Sequence, residues 1–365
     1  MVIAFYVDEM NLRGVSNSTF KYALYNQKLL KNKSIIFYNK KNSSNKKEVI
    51  NKFKKKFITK GVNNFKKIDD FKSKFNIEFI YTQKGGEKNH WVSDKIKTFI
   101  HAVYPQKLKE IHGYHYVSVS DWLNKKFSND KLPVLPYIVE VHKTKSNLKS
   151  FLKIKKKQKV FGCHGGGSSF DLKFTHDVLQ KIVNDRKDFT FLFLNINKFC
   201  DHPRIKFIKG TTCERFKKKF LNTCDVMIYG RSLGESFGLA CGEFAFLNKP
   251  IISYKFNRHS NHKFSLSNEN FFEYGSFNEL YSILNNFNFK KLNYRKNSYL
   301  KYDAKKVMRI FHDIIQSNHK EIDLSFVDYL TNIKNFYFMH YKYIRHKLYH
   351  HYYNLIKSKF IKIRR

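Results

Sequence analysis

Tyr229-Gly230-Arg231-Ser232-Leu233-Gly234-Glu235-Ser236-Phe237-Gly238-Leu239-Ala240-Cys241-Gly242-Glu243-Phe244-Ala245-Phe246-Leu247-Asn248-Lys249-Pro250-Ile251-Ile252 is the stretch that decides how this chain is read. The apolar run 226–229 before it has the length of a buried strand. Glycines at 230, 234 and 238 punctuate a loop, and a helix is expected from about Phe237. Asn248 and Pro250 end that helix, and Ile251-Ile252 begins another apolar run. Strand, loop, helix, loop, strand is the repeating unit of a parallel α/β sheet. Glu235 is expected at the mouth of the helix and Glu243 two turns in. Eight helical steps leave two side chains ~80° apart around the axis and ~12 Å apart along it, so both acids can face one elongated ligand. Glu243 lies among Leu239, Ala240, Cys241, Phe244 and Ala245. A carboxylate buried there requires a partner. Carboxylates accept hydrogen bonds from hydroxyl groups, which is what sugar and ribose recognition needs.

The same alternation extends in both directions. In the first half, strands are expected at 2–7, 34–38, 77–81, 98–104 and 114–120, and helices at 20–30, 49–60 and 68–75. A polar, lysine-rich stretch at 143–158 marks a boundary. The pattern then restarts, with strands at 159–164, 189–194, 205–208, 226–229 and 251–254 and helices at 171–184, 214–222, 277–287 and 302–315. This predicts an α/β chain of two Rossmann-like domains, 1–145 and 158–316, facing one another across a cleft, with a basic aromatic helical tail at 324–365. Loops that follow strands gather at the carboxyl ends of such sheets. Three of them, at 11–19, 164–169 and 230–236, carry glycine, hydroxyl and basic residues suited to phosphate. Gly14, His164, Gly165, Gly166 and Ser168 are candidates to approach it. Arg231 is the foremost cation and Lys173 a weaker one.

Composition narrows the possibilities. The 365 residues are 42% hydrophobic and 17% aromatic, enough for two cores. Lys and Arg number 70 against 29 acids, a formal charge of +41. The lysines are dispersed, and no helix-turn-helix, zinc-finger or RNP-like pattern accompanies them, so no specific nucleic-acid partner is expected. Five cysteines lack C-x-x-C spacing and a histidine set, which points to reduced thiols and no zinc. The short N-terminal apolar run lacks a basic start, and no segment reaches the ~20 apolar residues that span a bilayer. A cytoplasmic location is expected. The tail reads as a helix returning to pack on the first domain, or as a basic aromatic helix on an anionic membrane surface.

The segment from Gly234 to Glu243, followed by Asn248-Lys249-Pro250-Ile251-Ile252, resembles the donor-site signature of retaining GT-B glycosyltransferases of the family 4 type. That resemblance implies a GT-B fold and transfer of a sugar from a nucleotide-diphosphate sugar, the donor substrate, with no other cofactor. It implies that Glu235 meets donor-sugar hydroxyls and that Ser236, Phe237 and Gly238 offer backbone amides. It further implies that Glu243 binds ribose, that the 162–169 loop lies beside the diphosphate, and that Gly14 approaches the donor phosphate. A histidine in the first domain often serves the donor, and His101, at the end of an apolar strand, is the candidate here. Where many relatives have Gly-Arg, this chain has Gly162-Cys163-His164. No Asp-x-Asp motif suggests a metal, and metal-independent transfer is expected. The acceptor, whether glycan, lipid or protein, is unassigned. The rival readings are a non-catalytic sugar-nucleotide or glycan binder and a basic nucleic-acid-binding protein.

Overall fold

Buried apolar runs build two sheets. The computed structural model describes residues 1–141, 144–266, 271–289, 298–319 and 321–363, with the backbone course alone at 298, 350 and 354–363. The chain divides into two units, Met1–Glu140 with Leu300–Asn335, and Val141–Tyr299 with Phe336–Arg365.

In the first unit the order is β1 (Val2–Val7), α1 (Gly14–Lys28), β2 (Lys33–Asn39), α2 (Lys47–Lys54), β3 (Ile58–Val62), α3 (Lys72–Phe75), β4 (Phe79–Lys84), β5 (Lys97–Ala102), β6 (His115–Ser118) and α4 (Asp121–Ser128). The strands pair in parallel in the order β3-β2-β1-β4-β5-β6. All six residues of β4 are buried, as expected of a strand covered on both faces.

The second unit runs β7 (Lys159–His164), α5 (Lys173–Asp185), β8 (Phe189–Leu194), β9 (Ile205–Ile208), α6 (Glu214–Thr223), β10 (Val226–Tyr229), β11 (Gly234–Glu235), α7 (Leu239–Phe246), β12 (Ile251–Tyr254), β13 (His259–Ser260), α8 (Asn261–Leu266), β14 (Phe271–Tyr274) and α9 (Phe277–Asn285). Its main sheet has the order β14-β12-β10-β7-β8-β9, again parallel. Counted from β7, the strand succession matches that of the first unit. The strand order reverses between β1 and β4 in one sheet and between β7 and β10 in the other. Ligands of open α/β sheets bind outside the carboxyl ends of the strands at that reversal.

Two helices complete the chain, α10 (Ala304–Gln316) and α11 (Phe326–Ile363). Residues 302–315 were expected with the second domain. They lie in the first unit instead, because Phe311 is fully buried and its ring packs against Phe5, Tyr22, Tyr81 and Phe99. The opening turns of α11 also belong there: Asn332 Nδ2 donates to the carbonyls of Gln106 (3.0 Å) and Phe127 (2.5 Å).

Three other expectations change. The helix expected at 49–60 ends at Lys54, and Ile58–Val62 forms edge strand β3 beside β2. Helix α1 starts at Gly14 rather than Phe20, since Ser16, Ser18 and Thr19 are buried helix residues. Ser18 accepts a hydrogen bond from Gln83 Nε2 (3.0 Å), and Ser16 Oγ donates to the Glu9 carbonyl (2.6 Å). The apolar run 271–274 adds a sixth, edge strand to the second sheet beyond those expected.

Candidate functional site

Strands β7 and β10 pair at the strand-order reversal of the second sheet, with Val226 opposite Phe161 and Met227 opposite Gly162. Their carboxyl ends are His164 and Tyr229. Both are followed by the glycine loops singled out in the sequence. Local chemistry therefore concentrates where the topology favours a ligand.

The loop after Tyr229 is held from two sides. The Gly230 carbonyl accepts from the amides of Asp171 (3.0 Å) and Leu172 (3.3 Å). The Asp171 carboxylate accepts in return from Ser232 N (2.7 Å) and Ser232 Oγ (2.5 Å). Asn257 Nδ2 donates to the Arg231 carbonyl at 2.7 Å. The chain then enters β11, which pairs in parallel with β13. Gly234 has φ +71° and Gly238, the residue before α7, has φ +91°. A β-carbon at Gly234 would run into the carbonyl oxygen of His259. These glycines let the backbone turn twice around Glu235.

Glu235 thus stands on a short strand, not at the mouth of a helix. The reading that set both glutamates on one helical face is corrected: only Glu243 is on α7, which begins at Leu239. Glu235 Oε1 accepts from Tyr229 Oη (2.5 Å) and from Arg231 Nη1 (3.0 Å). Burial, and then the charge of Glu235, push the Tyr229 phenol well above its ordinary pKa, so it stays a donor. Arg231 also donates to the Gly234 carbonyl at 3.2 Å. The cation assigned to phosphate is thus engaged by Glu235.

Glu243 is 2% exposed. Lys217 Nζ lies 2.7 Å from its Oε1 and His164 Nε2 lies 2.9 Å from its Oε2. This is the partner that the burial of Glu243 demands. Burial, and then the charge of Lys217, hold His164 below its ordinary pKa against the opposing pull of Glu243, so the ring is neutral near pH 7. The ring lies flat along Phe244 and edge-on to Phe220. Lys217 comes from α6, whose first turn follows the exposed Cys213. Nothing in the run Lys217-Lys218-Lys219 distinguishes it from the surface lysines. The signal that could have found it was Glu243 itself, a carboxylate in an apolar run that calls for a cation.

The loop after β7 is tied back on itself. Gly165 N donates to the Leu194 carbonyl (3.3 Å), and Gly166 N donates to Ser169 Oγ (2.9 Å). The amides of Gly165 and Gly166, both expected to approach phosphate, thus serve the loop; Ser168 is exposed. Ser236, Phe237 and Gly238 form the turn before α7. The Phe237 ring is buried, and its carbonyl accepts from Asn261 Nδ2 at 2.6 Å.

Gly14 and His101 belong to the first unit. Gly14 is the exposed first residue of α1, with open space where a β-carbon would point. His101 is 0% exposed. Its Nδ1 is 2.6 Å from Tyr81 Oη, and burial brings its pKa down to about 3. It is ringed by Tyr22, Tyr81 and Tyr137. The ring expected to serve the donor is thus enclosed in the core of the first unit. Among the described residues, no three His, Cys, Asp or Glu side chains come together in a metal-binding arrangement.

No family model and no curated protein matches the chain. Solved structures do. A glycosyltransferase from Rickettsia africae ESF-5 has a TM-score of 0.61 at 15% identity, over 93% of this chain and 98% of its own. Anabaena HepE in complex with UDP-glucose has a TM-score of 0.65 at 11% identity, over 87% of this chain and all of its own, 100%. The fold is GT-B. A putative UDP-N-acetylglucosamine 2-epimerase from Listeria monocytogenes has a TM-score of 0.58 at 10% identity, over 88% of this chain and 99% of its own. At these identities the likeness is one of fold, and proteins named for transfer and for epimerisation share it.

Proposed function

We propose that the protein is a glycosyltransferase that moves a sugar from a nucleotide-diphosphate sugar to an acceptor hydroxyl, with retention. The observation that carries this reading is the pair Glu235 and Glu243 beside the strand-order reversal of the second sheet, each carboxylate oriented by its own cation. Glu235 would bind donor-sugar hydroxyls, with Tyr229 and Arg231 fixing its geometry. Glu243 would accept from the ribose hydroxyls. In transfer, the bond from the sugar's anomeric carbon to the phosphate oxygen breaks, and a bond to the acceptor oxygen forms as that oxygen loses its proton. Charge builds on the departing diphosphate. Arg231 and Lys217 are the nearby cations suited to compensate it, with the turn at 236–238 offering amides. The reaction then runs on side-chain charge and should survive chelation of divalent metal.

The test is acceptor-dependent release of nucleoside diphosphate, using donors selected by thermal shift from a panel of nucleotide sugars. Glu235→Gln and Glu243→Gln should each lower transfer by on the order of 100-fold while leaving the unfolding midpoint within a few degrees of wild type. Near-normal turnover in both variants would remove the site assignment. Conversion of the donor to an epimer without acceptor would replace transfer by the activity for which the Listeria protein is named.

A further inference from the structure

From Phe336 onward, α11 lies on the second unit by one face only. Tyr254 Oη is 3.1 Å from His346 Nδ1, Tyr353 Oη donates to Asp177 at 2.8 Å, and the Tyr349 ring meets Phe174 edge-on. Met339, on the same side, is 2% exposed. The other face carries Tyr337, Tyr341, Ile344, Leu348 and Tyr352, at successive spacings of four, three, four and four. All five are exposed, from 53% at Leu348 to 75% at Tyr337. At ~100° per residue they fall within an arc of about 80° and run for about 22 Å along the helix. A continuous apolar stripe of this kind signals a partner.

Charge identifies the partner. From Phe336 to Arg365 the chain has no Asp or Glu and eight Lys and Arg residues: Lys342, Arg345, Lys347, Lys357, Lys359, Lys362, Arg364 and Arg365. Helical geometry sets Arg345 on one flank of the stripe and Lys347 on the other, while Lys342 falls on the side that packs against the second unit. Two copies joined stripe to stripe would bring these like charges together, which disfavours self-association. A surface rich in phosphate removes that penalty. Three of the five stripe residues are tyrosines, whose apolar ring and polar tip suit the boundary between headgroups and acyl chains. No helix among the described residues is long and apolar enough to cross a membrane, so the helix would lie along it.

We propose that the outer face of α11, Tyr337 to Tyr352, docks on an anionic lipid bilayer, with its aromatic and aliphatic side chains entering the headgroup boundary and its flanking cations meeting lipid phosphates. The proposal stands apart from sugar transfer, since vesicle binding needs no donor.

Flotation of the full chain tests it, with phosphatidylcholine vesicles alone and with vesicles containing about 30% phosphatidylglycerol. Wild type should float with the anionic vesicles and stay behind with the neutral ones. The triple variant Tyr341→Ser, Ile344→Ser, Leu348→Ser keeps every charge of the protein. It should lose about tenfold or more in partitioning at physiological salt, with circular dichroism unchanged because the altered face is outside the core. Replacing Arg345 and Lys347 with Gln should weaken binding about fivefold per charge. Undiminished flotation of the triple serine variant would overturn the proposal, reducing vesicle binding to the general charge of the chain. A stable dimer in sedimentation that the same variant abolishes, without vesicle binding by wild type, would overturn it in favour of a second copy.

Discussion

Glu243 shows how one side chain can be read correctly and still leave its partners hidden. Its burial was legible from the apolar residues around it, and so was its need for a partner. Which lysine would answer was not, because a helix that precedes β10 in sequence supplies Lys217 from a lysine-rich run. Lys217→Met should therefore cost about 3 kcal/mol in urea unfolding, since it strands a buried carboxylate. Glu243→Gln combined with Lys217→Met should recover most of that loss, and a double-mutant cycle measures the coupling. His101 shows the opposite case. Its position at a strand end suggested chemistry, but the tyrosines that enclose it are far apart in sequence. It joins His259 and His262 as histidines that burial brings to about 3. An unfolded imidazole titrates near 6.5, so between those values the unfolded chain binds protons that the folded chain refuses. Stability is therefore full above about pH 6.5 and falls as pH drops toward 3. Each fully buried ring should remove about 2 kcal/mol between pH 7 and pH 5. Urea midpoints should fall across that range. His262→Asn, which can keep the contact with Ser253 (3.0 Å) without titrating, should make the fall shallower.

Elements were easiest to read where burial is complete on both faces. The run Phe189-Thr190-Phe191-Leu192-Phe193-Leu194 of β8 and the run in β7 read as strands of a sheet interior. Edges and polar starts were harder. Ile-Thr-Lys-Gly-Val of β3 is mostly exposed and follows a lysine-rich helix, so its apolar content continues the helical spacing as well as it makes a strand. The start of α1 looked like loop because its buried positions include Ser16, Ser18 and Thr19, of which Ser16 and Ser18 bond to other parts of the first unit. The two-residue ladder of β11 and β13 has no sequence signature, yet it sets the pose of Glu235. Gly234 is the residue it depends on. Gly234→Ala introduces a β-carbon at φ +71° against the carbonyl of His259 and should lower stability by roughly 2 kcal/mol or more. Thermal unfolding measures this, and donor affinity should fall with it because the strand that carries Glu235 must shift.

At the scale of the molecule, the alternation of strands and helices made the two parallel sheets legible, and the matching strand orders explain why the glycine loops after β7 and β10 come together. Allocation of the last helices was not legible, because order along the chain does not record which core a late segment rejoins; the ring of Phe311 among four aromatic rings of the first unit settles it for α10. The distribution of aromatics has an optical consequence. The chain has two tryptophans. Trp91 packs edge-on to Tyr6 and stacks on Phe65, and Trp122 meets Phe127 in α4. Both are in the first unit, and the second, with the candidate donor site, has tyrosine and phenylalanine but no tryptophan. Excitation at the red edge therefore illuminates only one of the two sheets, while far-ultraviolet dichroism records both. A nucleoside diphosphate seated at Glu243 should raise the dichroism midpoint. Whether the emission midpoint rises with it reads out, without any introduced dye, whether the two units melt as one cooperative block or in turn.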